Sequence, residues 1–119
     1  MEEVWNIIYY QTPQQDSSPI QDFIESLDIK ARTKVSNSLN LLEEFGIKLS
    51  SPHIKKLTGT DLWELRILGQ DNLRILYIAI TGKNFLLLHA FNKKKQKTDK
   101  REINTALARL RDYRSRAVK

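Results

Sequence analysis

The spacing of apolar residues changes along the first part of the chain, and each spacing predicts a different type of secondary structure. Residues 4–10 are rich in aromatic and β-branched side chains, which favours a short strand. Residues 11–18 are polar and predict a loop. Ser18 followed by Pro19 is typical of a helix start. The apolar stripe of that helix consists of Ile20, Phe23, Ile24 and Leu27.

A second helix is predicted to begin at Asp28, whose side chain can cap it. Gly46 can end this helix in the left-handed conformation. Its apolar stripe consists of Ala31, Val35, Leu39, Leu42 and Phe45. We expect the two helices to form a hairpin that lies on a sheet.

The second half of the chain is strand-like. Residues 47–61 form an irregular basic stretch, and apolar runs follow at residues 62–68, 73–80 and 85–91. Gly, Asp and Asn between these runs, at 69–72 and 81–84, favour tight antiparallel hairpins.

A final helix is predicted after a basic loop at residues 93–97. Thr98 or Asp99 caps it, and Glu102 completes a capping box with Asp99. Its apolar positions are Ile103, Ala106, Leu107 and Leu110.

The predicted element order is therefore β-α-α-β-β-β-α. We expect one α+β domain over residues 1–119, with a small antiparallel-rich sheet, an N-terminal helix hairpin packed on it and a C-terminal helix. No apolar run approaches the roughly 18 residues of a membrane span, and the acidic N-terminus lacks the basic region of a secretory signal. The expected location is the cytoplasm, with no membrane partner.

The amino-acid composition excludes several kinds of covalent bond, metal site and nucleophile. The chain has no cysteine, so disulfides, thiolate metal sites and a cysteine nucleophile are excluded. Its Asp, Glu and His residues do not follow metal-ligand spacings, and it has no glycine-rich phosphate loop. We therefore expect neither a metal nor another cofactor.

Charge is unevenly distributed along the chain, whose net charge is +6. Residues 1–47 carry three basic and eight acidic side chains, whereas residues 48–119 carry seventeen basic and six acidic ones. A basic portion of this kind fits a polyanion-binding surface, and equally a solvated basic helix and tail.

Strand alternation indicates which side chains of these runs share a face. Glu64 and Arg66 share one face of their strand. His89 and Phe91 share a face with Phe85 and Leu87 in theirs. A four-residue turn at 81–84 sets Leu76 opposite His89, and Arg74 opposite Phe91. Whether Arg66 joins Arg74 depends on whether the loop between them has an odd number of residues.

Each candidate also has a structural interpretation. Arg66 and Arg74 are suited to clamp a phosphate, or one of them forms an ion pair with Glu64. His89 is a candidate acid or base, or a core histidine, and His53 is a weaker candidate. The basic loop, with Lys93 and Lys94 as candidate catalytic residues, is either an RNA contact or a solvated charge run. The candidate RNA-binding residues are Lys55, Lys56, Phe91, Lys95 and Lys97, with Phe91 as a stacking surface.

The ordered set of motifs resembles a known family over roughly residues 4–114. The set resembles the phage Gp49-like/HigB branch of the RelE toxin superfamily. The motifs are Lys56-Leu57-Thr58-Gly59, Leu62-Trp63-Glu64-Leu65-Arg66, Leu73-Arg74-Ile75-Leu76-Tyr77, Leu87-Leu88-His89-Ala90-Phe91 followed by Lys93-Lys94 and Gln96-Lys97-Thr98, and Arg101-Glu102-Ile103 with Ala106.

The resemblance implies a RelE-like fold and a toxin of a type II toxin–antitoxin pair. Such toxins cleave mRNA on the ribosome without a metal, and a cognate helix-turn-helix antitoxin in the HigA style neutralises them. Arg66 and Arg74 match the family's strand arginines, and His89 matches its histidine position. Lys93, Lys94 and Lys97 match its basic loop.

We therefore predict a ribosome-dependent mRNA endoribonuclease. Arg66 and Arg74 are expected to stabilise the pentavalent phosphorus, while the loop lysines hold the RNA and donate the leaving-group proton. Two alternatives remain open: a non-catalytic nucleic-acid-binding or regulatory module, and a degenerate toxin that only binds its antitoxin.

Overall fold

The computed structural model describes residues 4–14, 16–70 and 72–117. It contains five strands, three α-helices and a single 3₁₀ turn among these residues. The strands are β1 (Asn6–Tyr9), β2 (Ile54–Lys56), β3 (Trp63–Arg66), β4 (Leu73–Ile80) and β5 (Asn84–Asn92). The helices are α1 (Pro19–Glu25), α2 (Ile29–Phe45) and α3 (Lys100–Ala117), and the 3₁₀ turn is Gly46–Lys48.

The strands form one mixed sheet in the order β1-β5-β4-β3-β2. β1 runs parallel to β5, whereas the other neighbours are antiparallel. The α+β class is thus confirmed, but the predicted order omitted β2. That strand lies at an edge of the sheet within the stretch predicted to be irregular, where two of its three residues are exposed lysines and give no alternating pattern.

Local capping signals place the helix ends as predicted. The Ser18 side chain accepts a hydrogen bond from the Gln21 backbone N–H, and Asp28 accepts one from Ala31. Gly46 ends α2 with a φ of 57°. The predicted stripe of α2 is buried except for Phe45, which is 47% exposed because α2 ends at that residue and the chain turns away.

The β4–β5 hairpin differs from the predicted register. Asn84 pairs with Ile80, so the turn has three residues, with positive φ at Gly82 and Lys83. A β-bulge then follows, because Tyr77 pairs with Leu87 while Leu76 pairs with His89. The extra residue in β5 restores the predicted pairs Leu76–His89 and Arg74–Phe91.

Because of the bulge, two residues of β5 lie on the face opposite to the predicted one. Phe85 and Leu87 were expected to share a face with His89 and Phe91. They lie on the opposite face, because the extra residue of β5 inverts the alternation. The Phe85 ring accordingly packs edge-on against Tyr77 at 5.4 Å between ring centroids.

The connection between β3 and β4 decides whether Arg66 and Arg74 share a face. Arg66 pairs directly with Arg74, and the Ile67 N–H donates to the Leu73 carbonyl at 3.3 Å, so the connection has an odd number of residues. The predicted turn at 69–72 includes Asp71, which lies outside the described residues.

Helix α3 lies over the sheet, where its predicted apolar stripe joins the core through buried Ala106 and Leu110. Asp99 caps it by accepting a hydrogen bond from the Arg101 N–H at 2.9 Å. Near its other end, the Asp112 carboxylate accepts a hydrogen bond from the Tyr10 hydroxyl at 2.6 Å and pairs with Arg116 at 2.7 Å. The hydrogen bond between Tyr10 and Asp112 therefore attaches the C-terminal part of α3 to the residue that follows β1. No helix in the described part of the chain has the length and apolar character needed to cross a membrane.

The end of α2 generates a stability prediction. A Cβ atom on Gly46 would lie 2.4 Å from Nε1 of Trp5, whose ring stacks on Phe85. Gly46→Ala therefore adds a steric clash to the strain of a positive φ, and we expect it to lower the free energy of unfolding by about 2–4 kcal/mol. Gly59→Ala is the matched control, since Gly59 also has a positive φ but has open space around it.

Urea unfolding of both variants measures the effect. Gly59→Ala is expected to lose about 1 kcal/mol from backbone strain alone. Equal losses in the two variants would contradict the role assigned to Trp5.

Candidate functional site

One face of the sheet collects charged side chains from three strands. Lys55 of β2 pairs with Glu64 of β3, and Arg66 of β3 pairs with Arg74 of β4. Because residues two apart in a strand share a face, these four side chains lie on the same side. Lys93, which follows the end of β5, adds a fifth charge. We call these five residues the charge cluster.

Glu64 lies at the centre of the charge cluster and has no exposed surface. Its Oε1 atom lies 3.5 Å from Nε of Arg74 and 3.9 Å from Nζ of Lys93. Its Oε2 atom accepts a hydrogen bond from the hydroxyl of Thr98, just before α3. The structural interpretation of the strand arginines is therefore correct for Arg74, and the carboxylate also joins the basic loop to the sheet.

Positive charge remains in excess around this carboxylate. Burial lowers the pKa of Lys93, Glu64 raises it, and the charges of Arg74, Lys55 and Arg66 lower it. Four cations thus act around one anion. Nε of Arg66 is also buried and has no hydrogen-bond partner in the described part of the chain. Such a cluster has the electrostatics of an anion-binding site.

Two cavities open beside the charge cluster. One, of about 310 Å³, is lined by Asn72, Arg74 and the loop residues Lys93, Lys94, Lys95 and Gln96. The other, of about 140 Å³, is lined by the same three lysines together with Phe91, Asn92, Asp99, Arg101 and Glu102. The basic loop separates the two cavities, so its lysines line both.

His89 lies on the same face, under α3. Its Nε2 atom lies 2.8 Å from Oε1 of Glu102, and Nη1 of Arg109 lies 3.2 Å from its Nδ1. A guanidinium can only donate, so Nδ1 accepts and Nε2 carries the proton that Glu102 accepts. Burial also lowers the pKa of His89, which favours the same neutral ring.

This arrangement changes the roles predicted for two residues. Both nitrogens of His89 are engaged, so neither faces an incoming hydroxyl. Phe91 is 5% exposed and stacks on His89 with 5.2 Å between ring centroids, which leaves little of the ring open for a base. Glu102 contacts His89 instead of closing the predicted capping box with Asp99.

The remaining predicted residues fall into two groups. Lys94, Lys95 and Lys97 are exposed on the loop, and Lys55 is an exposed member of the charge cluster. Lys56 points to the other side of the sheet, where its Nζ donates to the Thr60 carbonyl at 2.6 Å and lies 5.8 Å from the centre of the Trp63 ring. The structure therefore separates Lys55 from Lys56.

Three residues of this region escaped sequence reasoning as site residues: Thr98, Glu102 and Arg109. Thr98 and Glu102 were considered only as helix caps. Arg109 gave no signal beyond its charge, although it also donates to the Leu88 carbonyl at 2.9 Å. A helical spacing of seven residues sets Glu102 and Arg109 on one face of α3, and this spacing is the signal that was available.

The charge cluster generates a stability prediction. Glu64→Gln leaves the side chains of Arg74 and Lys93, 13% and 8% exposed, without their shared carboxylate. We expect the free energy of unfolding to fall by about 3 kcal/mol or more, because breaking a buried ion pair leaves buried charge uncompensated. Urea unfolding measures the change.

The matched control is Glu44→Gln, the same substitution at an exposed position of α2. Its effect is expected to stay within about 0.5 kcal/mol. A similarly small effect at position 64 would mean that Glu64 does not hold the cluster together.

His89 generates a pH-dependent prediction. Since its pKa is lower in the folded chain than in the unfolded chain, the unfolded chain binds the extra proton as pH falls below about 6.5. His89 therefore makes the protein less stable towards acid, and His89→Gln should reduce the loss of stability between pH 7.5 and pH 5.5. Urea unfolding at the two pH values tests this, with His53→Gln as the control for the substitution itself. An unchanged difference in His89→Gln would refute the burial effect.

Among the described residues, no three His, Cys, Asp or Glu side chains come together as a metal site requires.

The search of curated proteins found no match. The model of the family described as phage-derived protein Gp49-like (DUF891) matches residues 22–111, from α1 into α3 and across the whole charge cluster. This family is consistent with a toxin of a toxin–antitoxin system. Since the match covers most of the sequence, the chain belongs to the phage-derived Gp49-like family.

Proposed function

We propose that the protein is the toxin of a type II toxin–antitoxin pair of the RelE superfamily, in its HigB branch, and that it cleaves ribosome-bound mRNA. The observation that carries this proposal is the charge cluster, in which four cations surround one buried carboxylate beside an open cavity. Family membership adds the toxin context.

The substrate of this site is a phosphodiester. An RNA phosphate in the cavity of about 310 Å³ meets Arg74 and the loop lysines, with Arg66 directly across the strand pair from Arg74. Two guanidinium groups provide donors in a fixed planar geometry, which suits the oxygens of a phosphate that changes from four to five ligands.

The reaction is a transesterification within the RNA, in which solvent water accepts the proton of the attacking hydroxyl. The 2′-hydroxyl oxygen attacks the adjacent phosphorus, the bond from phosphorus to the 5′ oxygen breaks, and the products are a 2′,3′-cyclic phosphate and a free 5′-hydroxyl. One proton leaves the 2′-hydroxyl and another reaches the departing oxygen. Arg66 and Arg74 stabilise the negative charge that develops on the phosphorus oxygens.

Lys93 is the best-placed side chain for proton transfer. Burial lowers its pKa, and a lower pKa makes the ammonium a better proton donor to the departing oxygen. Lys94 shares both cavities with it. His89 serves the site by position, because its ring, Glu102 and Arg109 connect β5 to α3 beside the loop.

The same proposal names the partners. The ribosome presents the mRNA, a cognate antitoxin of the helix-turn-helix type neutralises the toxin, and the setting is the cytoplasm. Lys55, Lys95 and Lys97 hold the RNA backbone around the cleaved linkage, since all three are exposed near the cluster.

A non-catalytic RNA-binding module is the second candidate, and the engaged nitrogens of His89 favour it. A module of this kind uses the same cations to hold RNA without cutting it. Its affinity falls steadily with salt, and no single substitution abolishes its effect. A degenerate toxin that only binds its antitoxin would neither cut RNA nor stop growth.

The clamp is tested with Arg66→Ala and Arg74→Ala in a translation reaction, where mRNA cut sites are mapped by primer extension. We expect each substitution to slow cleavage by about 100-fold or more, as for removal of one donor to a developing oxyanion.

Arg32→Ala is the matched control, because Arg32 is an exposed arginine on α2. Arg74→Lys, which keeps a charge beside Glu64, separates loss of the planar guanidinium from loss of folding. Full cleavage by both alanine variants would eliminate the clamp, and binding of RNA without cleavage by the wild type would favour the second candidate.

A further inference from the structure

The opposite face of the sheet holds the more apolar opening. A groove of about 300 Å³ lies where the 3₁₀ turn approaches β2, β3 and β4. Its apolar walls are Ile47, Leu49, Ile54, Trp63, Tyr77 and Phe85. We call this opening the apolar groove. Trp63 and Glu64 are consecutive in β3, so the groove and the charge cluster lie on opposite faces.

Exposed apolar surface surrounds the groove. Five large apolar side chains are exposed among the described residues, and two of them, Phe45 at 47% and Ile47 at 74%, flank Gly46 at the groove. Ile47 also lines the opening. Clustered exposed apolar residues around a concave opening are typical of a binding surface, whereas single ones are not.

The charges at the groove are of one sign. Two of its described lining residues are charged. Lys56 has its side chain on this face, whereas Lys55 lines the groove at the sheet edge and directs its side chain to the face of the charge cluster. Exposed Lys48 follows Ile47 in the 3₁₀ turn. The occupant that matches this pattern places an apolar side chain in the groove and acidic side chains along the edge. A second copy of the chain is a poorer match, since its own exposed groove edge carries the same positive charge.

We propose that the apolar groove is the docking site for an acidic amphipathic segment of a partner protein, and that this partner is the antitoxin. The identity of the partner depends on the proposed function, whereas the chemistry of the docked segment does not. The partner thereby binds behind the catalytic face, with one large apolar side chain seated between Ile47 and Trp63.

The test compares two isoleucines of nearly equal exposure. Ile47→Asp places a carboxylate in the groove, and Ile29→Asp places one at the start of α2, where Ile29 is 73% exposed and lines no part of the groove. Both changes alter net charge equally. Ala79→Arg narrows the groove from β4 without changing Ile47. Circular dichroism and thermal unfolding check that each variant folds.

The probe is the purified protein encoded by the reading frame adjoining the gene of this chain, titrated against each full-length variant. We expect Ile47→Asp and Ala79→Arg to weaken binding at least 10-fold and Ile29→Asp to leave it within twofold. Arg66→Ala is expected to bind like the wild type. Equal binding by all variants, loss of binding in Arg66→Ala alone, or no binding to the wild type would overturn the docking site.

Growth in the same cells separates this inference from the proposed function. We expect Ile47→Asp to stop growth like the wild type and to resist rescue by the co-expressed neighbour. A wild type that binds its neighbour through the groove but leaves growth unaffected refutes the toxin and retains the docking site. If Ile47→Asp binds RNA more weakly but binds the partner as the wild type does, the groove is an RNA-binding surface and the proposed docking site is refuted.

Discussion

The buried carboxylate of Glu64 is the group on which the charged face depends. At a separation near 4 Å, two opposite unit charges attract by about 4 kcal/mol at an effective dielectric constant of 20. Removing each ion from water opposes this by several kcal/mol. Arg74 and Lys93 each contact Glu64, so one desolvated anion serves two cations, and Thr98 satisfies its second oxygen. The excess positive charge that remains is available to an anion from outside.

Local signals were the most reliable part of the sequence. Ser18, Asp28 and Gly46 mark helix ends correctly, because a cap depends on residues three or four positions away. Strand β2 escaped prediction for the opposite reason. Three residues at a sheet edge, two of them exposed lysines, are held as a strand by backbone pairing with β3, which no pattern within the segment records.

Near the candidate site, the sequence predicted which residues share a face of the sheet, but not which side chains contact each other. Alternation correctly sets Arg66 with Glu64, and Arg74 opposite Phe91, but the register across two hairpins depends on loop geometry. The shorter turn after Ile80 and the bulge in β5 compensate each other, so the pairing near the site agrees with a prediction that fails nearer the turn. The contacts of His89 depend on how α3 packs, which the strand pattern does not encode.

The two faces of the sheet impose a condition on the proposed neutralisation by an antitoxin. A partner in the apolar groove is separated from the charge cluster by the thickness of the sheet, so its docked segment leaves Arg66 and Arg74 uncovered. If the proposed function holds, inhibition would depend on bulk: a bound partner would prevent a body as large as the ribosome from approaching, while a short RNA would still reach the cavity beside the loop. Because the edge strand β2 contributes Lys55 to one face and Lys56 to the other, a partner that extends around this edge also meets Lys55 of the charge cluster. Through the geometry of β2, a partner that docks in the apolar groove on one face can therefore limit access to the charge cluster on the other face.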